Sequence, residues 1–151
     1  MLYDAIRGAL PELQAEAESL MTLTLTAYSP GEPSTDADGY EVIPYANEGD
    51  TPGKVQSGTQ SGSDTPTRHV SIGGVERPVL SGGLHIPIAA FIADGSLSIV
   101  ASEQSGIGWE FEVAATGPAD DPALLGRRYL VVGVPAKSHA TARRLDVVEV
   151  Q

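Results

Sequence analysis

Apolar residues recur along this chain with two different periods. From Leu2 to Leu20 the positions Leu2, Ile6, Leu10, Leu13, Ala17 and Leu20 follow each other at intervals of three or four. That stripe predicts an amphipathic helix. Gly8 and Pro11 interrupt it, and proline fits best in a first turn, so the firm helix is expected over Pro11–Leu20 with a separate or kinked turn before it. Glu12, Glu16 and Glu18 form its polar side. Such a helix either docks on a neighbouring subunit or covers one end of the remaining domain.

After the helix the period falls to two. Leu23, Leu25 and Ala27 alternate with Thr22, Thr24, Thr26 and Tyr28, which predicts a strand. A loop over Pro30–Gly39 ends in the turn signal Asp38-Gly39 before Tyr40–Ile43. Residues 68–72 and 75–80 predict a hairpin across Gly73-Gly74, and Ser81-Gly82-Gly83 breaks the chain before a strand over Leu84–Ile88. Pro87 puts that strand at an edge or an end. Asp94-Gly95 turns into Leu97–Val100. Trp109, Phe111 and Val113 alternate cleanly and are the best core anchors.

The C-terminal part is the most structured. Asp121-Pro122 opens a single turn that Gly126 closes, with Asp121 as its cap. The β-branched run Arg128–Val134 stops at Pro135, and Arg143–Val150 is a final alternating strand with Leu145, Val147 and Glu149 on one face. Short strands at this spacing predict a mainly β fold, a small barrel or sandwich with an N-terminal helix, as one domain over residues 1–151. Residues 44–67 are the exception. Their Gly-, Ser- and Thr-rich sequence has little to bury and is expected to form a long flexible loop.

Composition adds that the core is modest. Aromatics make up 5 % of the 151 residues, while glycine and proline number 17 and 11. Association between copies would relieve the shortage of buried apolar area. The formal charge is −11 and uneven: residues 1–67 hold eleven acids and two bases, residues 68–151 nine acids and seven bases. A chain this acidic is a poor duplex binder, because DNA affinity rests on cations that neutralise phosphates. No long apolar run predicts a membrane span, the acidic start does not suit a signal peptide, and the absence of cysteine removes disulfide and thiolate chemistry.

Catalytic patterns are missing. His69, His85 and His139 do not fall into a metal-binding spacing, no serine sits in a nucleophile elbow, and no glycine pair leads into a phosphate-binding helix. Counting from Asp36, the calcium-loop pattern places Tyr40 and Asn47 where acids are required. No enzyme activity, cofactor or metal is expected. The basic cluster Arg127, Arg128, Lys137, His139, Arg143 and Arg144 leaves three readings: nucleic-acid contact, pairing with the acidic surface of a neighbouring copy, or solvated charge. Overall charge favours the second.

The run from Asp121 to Leu145, DPALLGRRYLVVGVPAKSHATARRL, resembles the C-terminal signature of a family of head–tail connector (head-closure, or stopper) proteins of actinobacterial tailed phages. Arg68–Val75, the Leu84-His85-Ile86-Pro87 step and the helix running into Met21–Thr24 extend the resemblance. The family also has a short strand at Gly53–Gln56, where Lys54 replaces arginine and Gly53 departs from its pattern. The resemblance implies a structural subunit of a ring, six- or twelvefold, that seals packaged DNA at the virion neck after assembly in the host cytoplasm. Its implied partners are other copies of itself, the portal or adaptor, and the tail terminator or tail tube, with double-stranded DNA passing through the lumen. It further implies that the long loop, with Asp50, Lys54, Gln56, Gln60 and Asp64, reaches the channel or an adjacent ring. An adaptor or other neck or tail protein is the alternative, and a small β-domain enzyme a more distant one.

Overall fold

In the computed structural model, residues 2–56, 69–72, 74–87, 108–134 and 142–150 are described. Helix α1 spans Leu2–Ser19, followed by strands β1 (Leu23–Pro30), β2 (Ser34–Thr35), β3 (Glu41–Val42), β4 (Tyr45–Val55), β5 (His69–Ile72) and β6 (Val75–Pro78). Next come β7 (Leu80–Ile86), β8 (Glu110–Ala115), a 3-10 turn at Pro122–Leu124, β9 (Arg128–Gly133) and β10 (Arg143–Glu149). Six strands close into an antiparallel barrel in the order β1-β4-β7-β10-β9-β8, while β2–β3 and β5–β6 are separate two-stranded ribbons. Closure satisfies the strand edges and makes the barrel interior the core.

Period-two alternation fills that interior. Leu23, Leu25 and Ala27 of β1 face Phe111 and Val113 of β8, Tyr129 and Val131 of β9, Leu145 and Val147 of β10, and Leu84 and Ile86 of β7. Thr24, Tyr28, Glu110, Glu112 and Arg128 lie between them on the outside, only partly buried. The interior is packed with side chains and is not a pore. Trp109 is partly buried and packs against this cluster, whereas Phe111 and Val113 are fully buried members of it.

One strand needed a glycine to fit. β4 opposes β1 with a register shift at Ala27/Tyr28, where Gly49 takes φ +112° and Asn47 accepts the Gly49 N–H through Oδ1 at 2.8 Å. This bulge, with Glu48 as the extra residue, bends β4 around the barrel. Further along, Gly53 turns toward the interior, where Leu25 already fills the space: a Cβ there would sit 2.1 Å from Leu25 Cδ1.

Several expectations are corrected. The helix does not start at Pro11 but runs from Leu2 through Pro11 to Ser19. Proline removes one backbone donor, yet the stripe on either side keeps a single helical period. The last turn tightens as Leu20 N–H donates to Ala17 O and Met21 N–H to Glu18 O, and buried Met21 leads into β1. The loop expected over 44–67 is, as far as Val55, the eleven-residue strand β4. Apart from buried Thr51, its polar side chains face outward; its backbone pairs with β1 along most of its length and with β7 at Lys54 and Val55, so low hydrophobicity did not prevent strand formation. The rest of that loop, 57–68, lies outside the described residues, as does the strand expected at Leu97–Val100. Ser81-Gly82-Gly83 does not break the chain but continues within β7, and Pro87 ends a strand that is internal to the barrel.

Other expectations match. Asp121 Oδ1 accepts the Ala123 N–H at 2.9 Å, and Gly126 takes φ +84° after the turn. Asp36 Oδ1 accepts from the N–H groups of Asp38 and Tyr40, which shapes the turn before β3. β5 and β6 pair as a hairpin around Gly74, Gly73 lying outside the described residues.

Candidate functional site

Because a barrel's interior is filled, its chemistry lies on the outside, where alternate residues of neighbouring strands line up. Two such groups are built from charged side chains. The first surrounds Arg128 at the start of β9. Its guanidinium lies 4.6 Å from the Tyr28 ring centroid, 3.2 Å from Glu110 and 3.8 Å from Glu112. Strand pairing dictates this meeting: Glu112 is opposite Arg128, and Tyr28 is opposite Glu110. Tyr45 completes the group, its hydroxyl donating to Gly108 O at 3.3 Å. Burial, and then the neighbouring Glu110 carboxylate, pushes the Tyr45 hydroxyl above its ordinary pKa. Arg128 thus ties β9 to β8 and β1, and its charge is consumed within the subunit.

The second group is a row across three strands. His85 of β7 is opposite Lys54 of β4 on one side and Arg144 of β10 on the other. All three alternate with inward residues (Gly53, Leu84, Ile86 and Leu145) and therefore face outward. Cross-strand spacing puts the Lys54 and Arg144 backbones about 10 Å apart. Burial pushes the His85 imidazole below its ordinary pKa, and the Arg144 charge adds to that, which disfavours a third positive charge between the two cations. Neither Lys54 nor Arg144 has a carboxylate partner among the described residues. Asp146, two residues from Arg144, accepts the Gly82 N–H at 2.8 Å.

The six basic residues singled out from sequence do not form one cluster. β9 and β10 do pair, but antiparallel, so the residues that begin each strand lie at opposite ends of the pair. Arg127 is held near the β10 terminus, 3.5 Å from Glu149, and its Nε donates to Ala123 O. Burial, and then the Glu149 carboxylate, raises the nearby Tyr129 hydroxyl's pKa. Arg143 is opposite Ile86 and shares the face of Leu145, while Arg144 points the other way. Lys137 and His139 lie outside the described residues.

The loop candidates are likewise redistributed. Asp50 sits in β4 and accepts a hydrogen bond from Thr26 Oγ1 at 2.7 Å, Lys54 belongs to the cationic row, and Gln56 N–H donates to Gly83 O. Gln60 and Asp64 lie outside the described residues. His85 is the residue that sequence reasoning undervalued. Alternation around Leu84 and Ile86 shows that it faces outward; its pairing with Lys54 and Arg144 depends on register between distant segments, which leaves no local trace.

Among the described residues no group of three or more potential metal ligands comes together, and no helix is long and apolar enough to cross a membrane. The fold and these surfaces define a small closed β-barrel with a helical arm and a polarised exterior. The chain belongs to DUF6093, a family of unknown function, whose model matches residues 13–148. No curated protein and no solved structure matches it.

Proposed function

We propose that this chain is a structural subunit of a phage head-to-tail connector, a head-closure ring between portal or adaptor and tail that holds packaged DNA in the head. The observation that carries this reading is the Asp121–Leu145 run and its resemblance to connector proteins. The remaining evidence is physical. The helix and the turn that ends it leave Leu2, Leu13 and Leu20 at 77 %, 46 % and 61 % exposure, an apolar edge that a lone protein has little reason to display. The exterior also carries carboxylates on the β1, β4 and β8 side (Glu48, Asp50, Glu110, Glu112) and cations on the β4, β7 and β10 side. Opposite charges on different faces favour head-to-tail contacts, and head-to-tail contacts form a ring when the rotation from copy to copy closes.

In that assembly the work is mechanical. Each copy uses two different faces, acids around the lumen keep passing DNA from adhering, and the segment after β4 engages a neighbouring ring or the channel. Incubating the purified chain with portal particles and imaging them by negative stain tests the reading. A collar at the portal vertex is expected. A solitary 15.7 kDa species that never associates with portal or tail would refute it.

A further inference from the structure

We propose that α1 of one copy seats on the outer face of β4, β7 and β10 of the next, with Glu12 and Glu16 set against Lys54 and Arg144. This contact rests on the assembly reading above and specifies which surfaces meet.

Three observations converge on it. First, α1 is unfinished on one edge. At 100° per residue, Leu2 and Leu13 lie within about 20° of one another on α1, and Leu20, the first residue past it, follows them; all three are exposed large apolar side chains. Glu12 and Glu16 are one turn apart on the same side of that leucine line, Glu16 roughly 40–60° and Glu12 roughly 80–100° round the helix from it, so a partner that covers the leucines from that side meets both carboxylates. Second, no ion pair among the described residues engages Glu12, Glu16 or Glu18. Third, the Lys54–His85–Arg144 row presents two cations without carboxylate partners on a strand surface.

The other acidic surface fits less well. On the barrel wall Asp50 accepts from Thr26, Glu48 from Ser29, and Glu110 and Glu112 hold Arg128. Those carboxylates would have to surrender existing partners, whereas the helix carboxylates would not. The geometry also matches: Glu12 and Glu16 are about 6 Å apart at Cβ, within reach of two long side chains whose backbones are about 10 Å apart.

Charge reversal in two arms tests the contact on the full chain. One variant carries Glu12→Lys with Glu16→Lys, the other Lys54→Glu with Arg144→Glu. Sedimentation velocity over a concentration series reads assembly, and circular-dichroism melting verifies that each variant is folded. Each variant alone is expected to associate at least tenfold more weakly than the native chain. An equimolar mixture is expected to recover assembly, because each reversed helix then meets a reversed strand face. Native-like assembly of either single variant, or a mixture that stays dissociated, would overturn this contact while leaving the ring reading intact. A native chain that remains monomeric at every concentration would overturn this contact, while the ring reading stands or falls separately on the collar at the portal vertex.

Discussion

Gly53 is the position where the barrel's packing can be tested most directly. A methyl group added there meets Leu25 Cδ1 at 2.1 Å, Leu25 Cγ at 2.9 Å and the His85 carbonyl oxygen at 3.1 Å. Leu25 is fully buried among the other core side chains, so moving it would displace close-packed neighbours. The backbone oxygen belongs to the adjacent strand and is fixed by pairing. Overpacking of this kind costs about 1–3 kcal/mol, and with contacts on two sides Gly53→Ala is expected to cost about 2 kcal/mol. For a chain of this length that lowers the melting midpoint by roughly 4–8 °C. Leu25→Ala alone leaves a cavity and costs about 2–5 kcal/mol.

The informative measurement is the double variant. Once Leu25 is shortened, the added methyl group occupies part of the emptied space. Gly53→Ala with Leu25→Ala should therefore be less destabilised than the two single changes together, by about 1–2 kcal/mol. Urea unfolding followed by circular dichroism reads this, at one fixed protein concentration because self-association would move the midpoint. A Gly53→Ala variant within about 0.5 kcal/mol of native stability, or strict additivity in the double variant, would refute the argued contact.

Three further outcomes follow from the structure. Arg128→Met removes the partner of Glu110 and Glu112 and should destabilise by about 1–3 kcal/mol; Arg128→Lys should recover only part, because an ammonium cannot both fork to two carboxylates and lie flat on the Tyr28 ring. Chemical denaturation of both variants provides the comparison. The His85 pKa is lower folded than its ordinary 6.5, so the unfolded chain binds the proton more readily. Its contribution is present above pH 6.5 and is lost as pH falls toward the folded value; His85→Gln should flatten that part of the stability-against-pH curve. Gly126→Ala forces a side chain into φ +84° after the 3-10 turn and should cost about 1 kcal/mol, read as a lower thermal midpoint, whereas Ala123→Gly nearby should cost less.

Much of the architecture was legible along the chain because it is local. Period-two alternation marks β1, β8, β9 and β10, and the Asp121 cap with Gly126 is written in neighbouring residues. β4 was harder to read, since its Asn-Glu-Gly-Asp-Thr-Pro-Gly stretch has the composition of a loop. It is a strand because β1 and β7 supply partners for its backbone and Leu25 fills the place of a side chain at Gly53. The helix was legible in its stripe but not in its extent, because Pro11 weakens a helix without ending it when the flanking turns keep their period.

Charged groups divide in the same way. Residue types and alternation determine which side chains face water, and the uneven charge along the chain was plain from composition. Which of them meet was decided by closure of the barrel. Antiparallel pairing separated Arg128 from Arg143 and Arg144, although they begin adjacent strands. The same register joined Lys54, His85 and Arg144 from three distant segments. Side-chain periodicity is a property of a few consecutive residues, whereas strand register is set by core packing across the whole barrel, so the first can be read in order and the second exists only once the chain has closed.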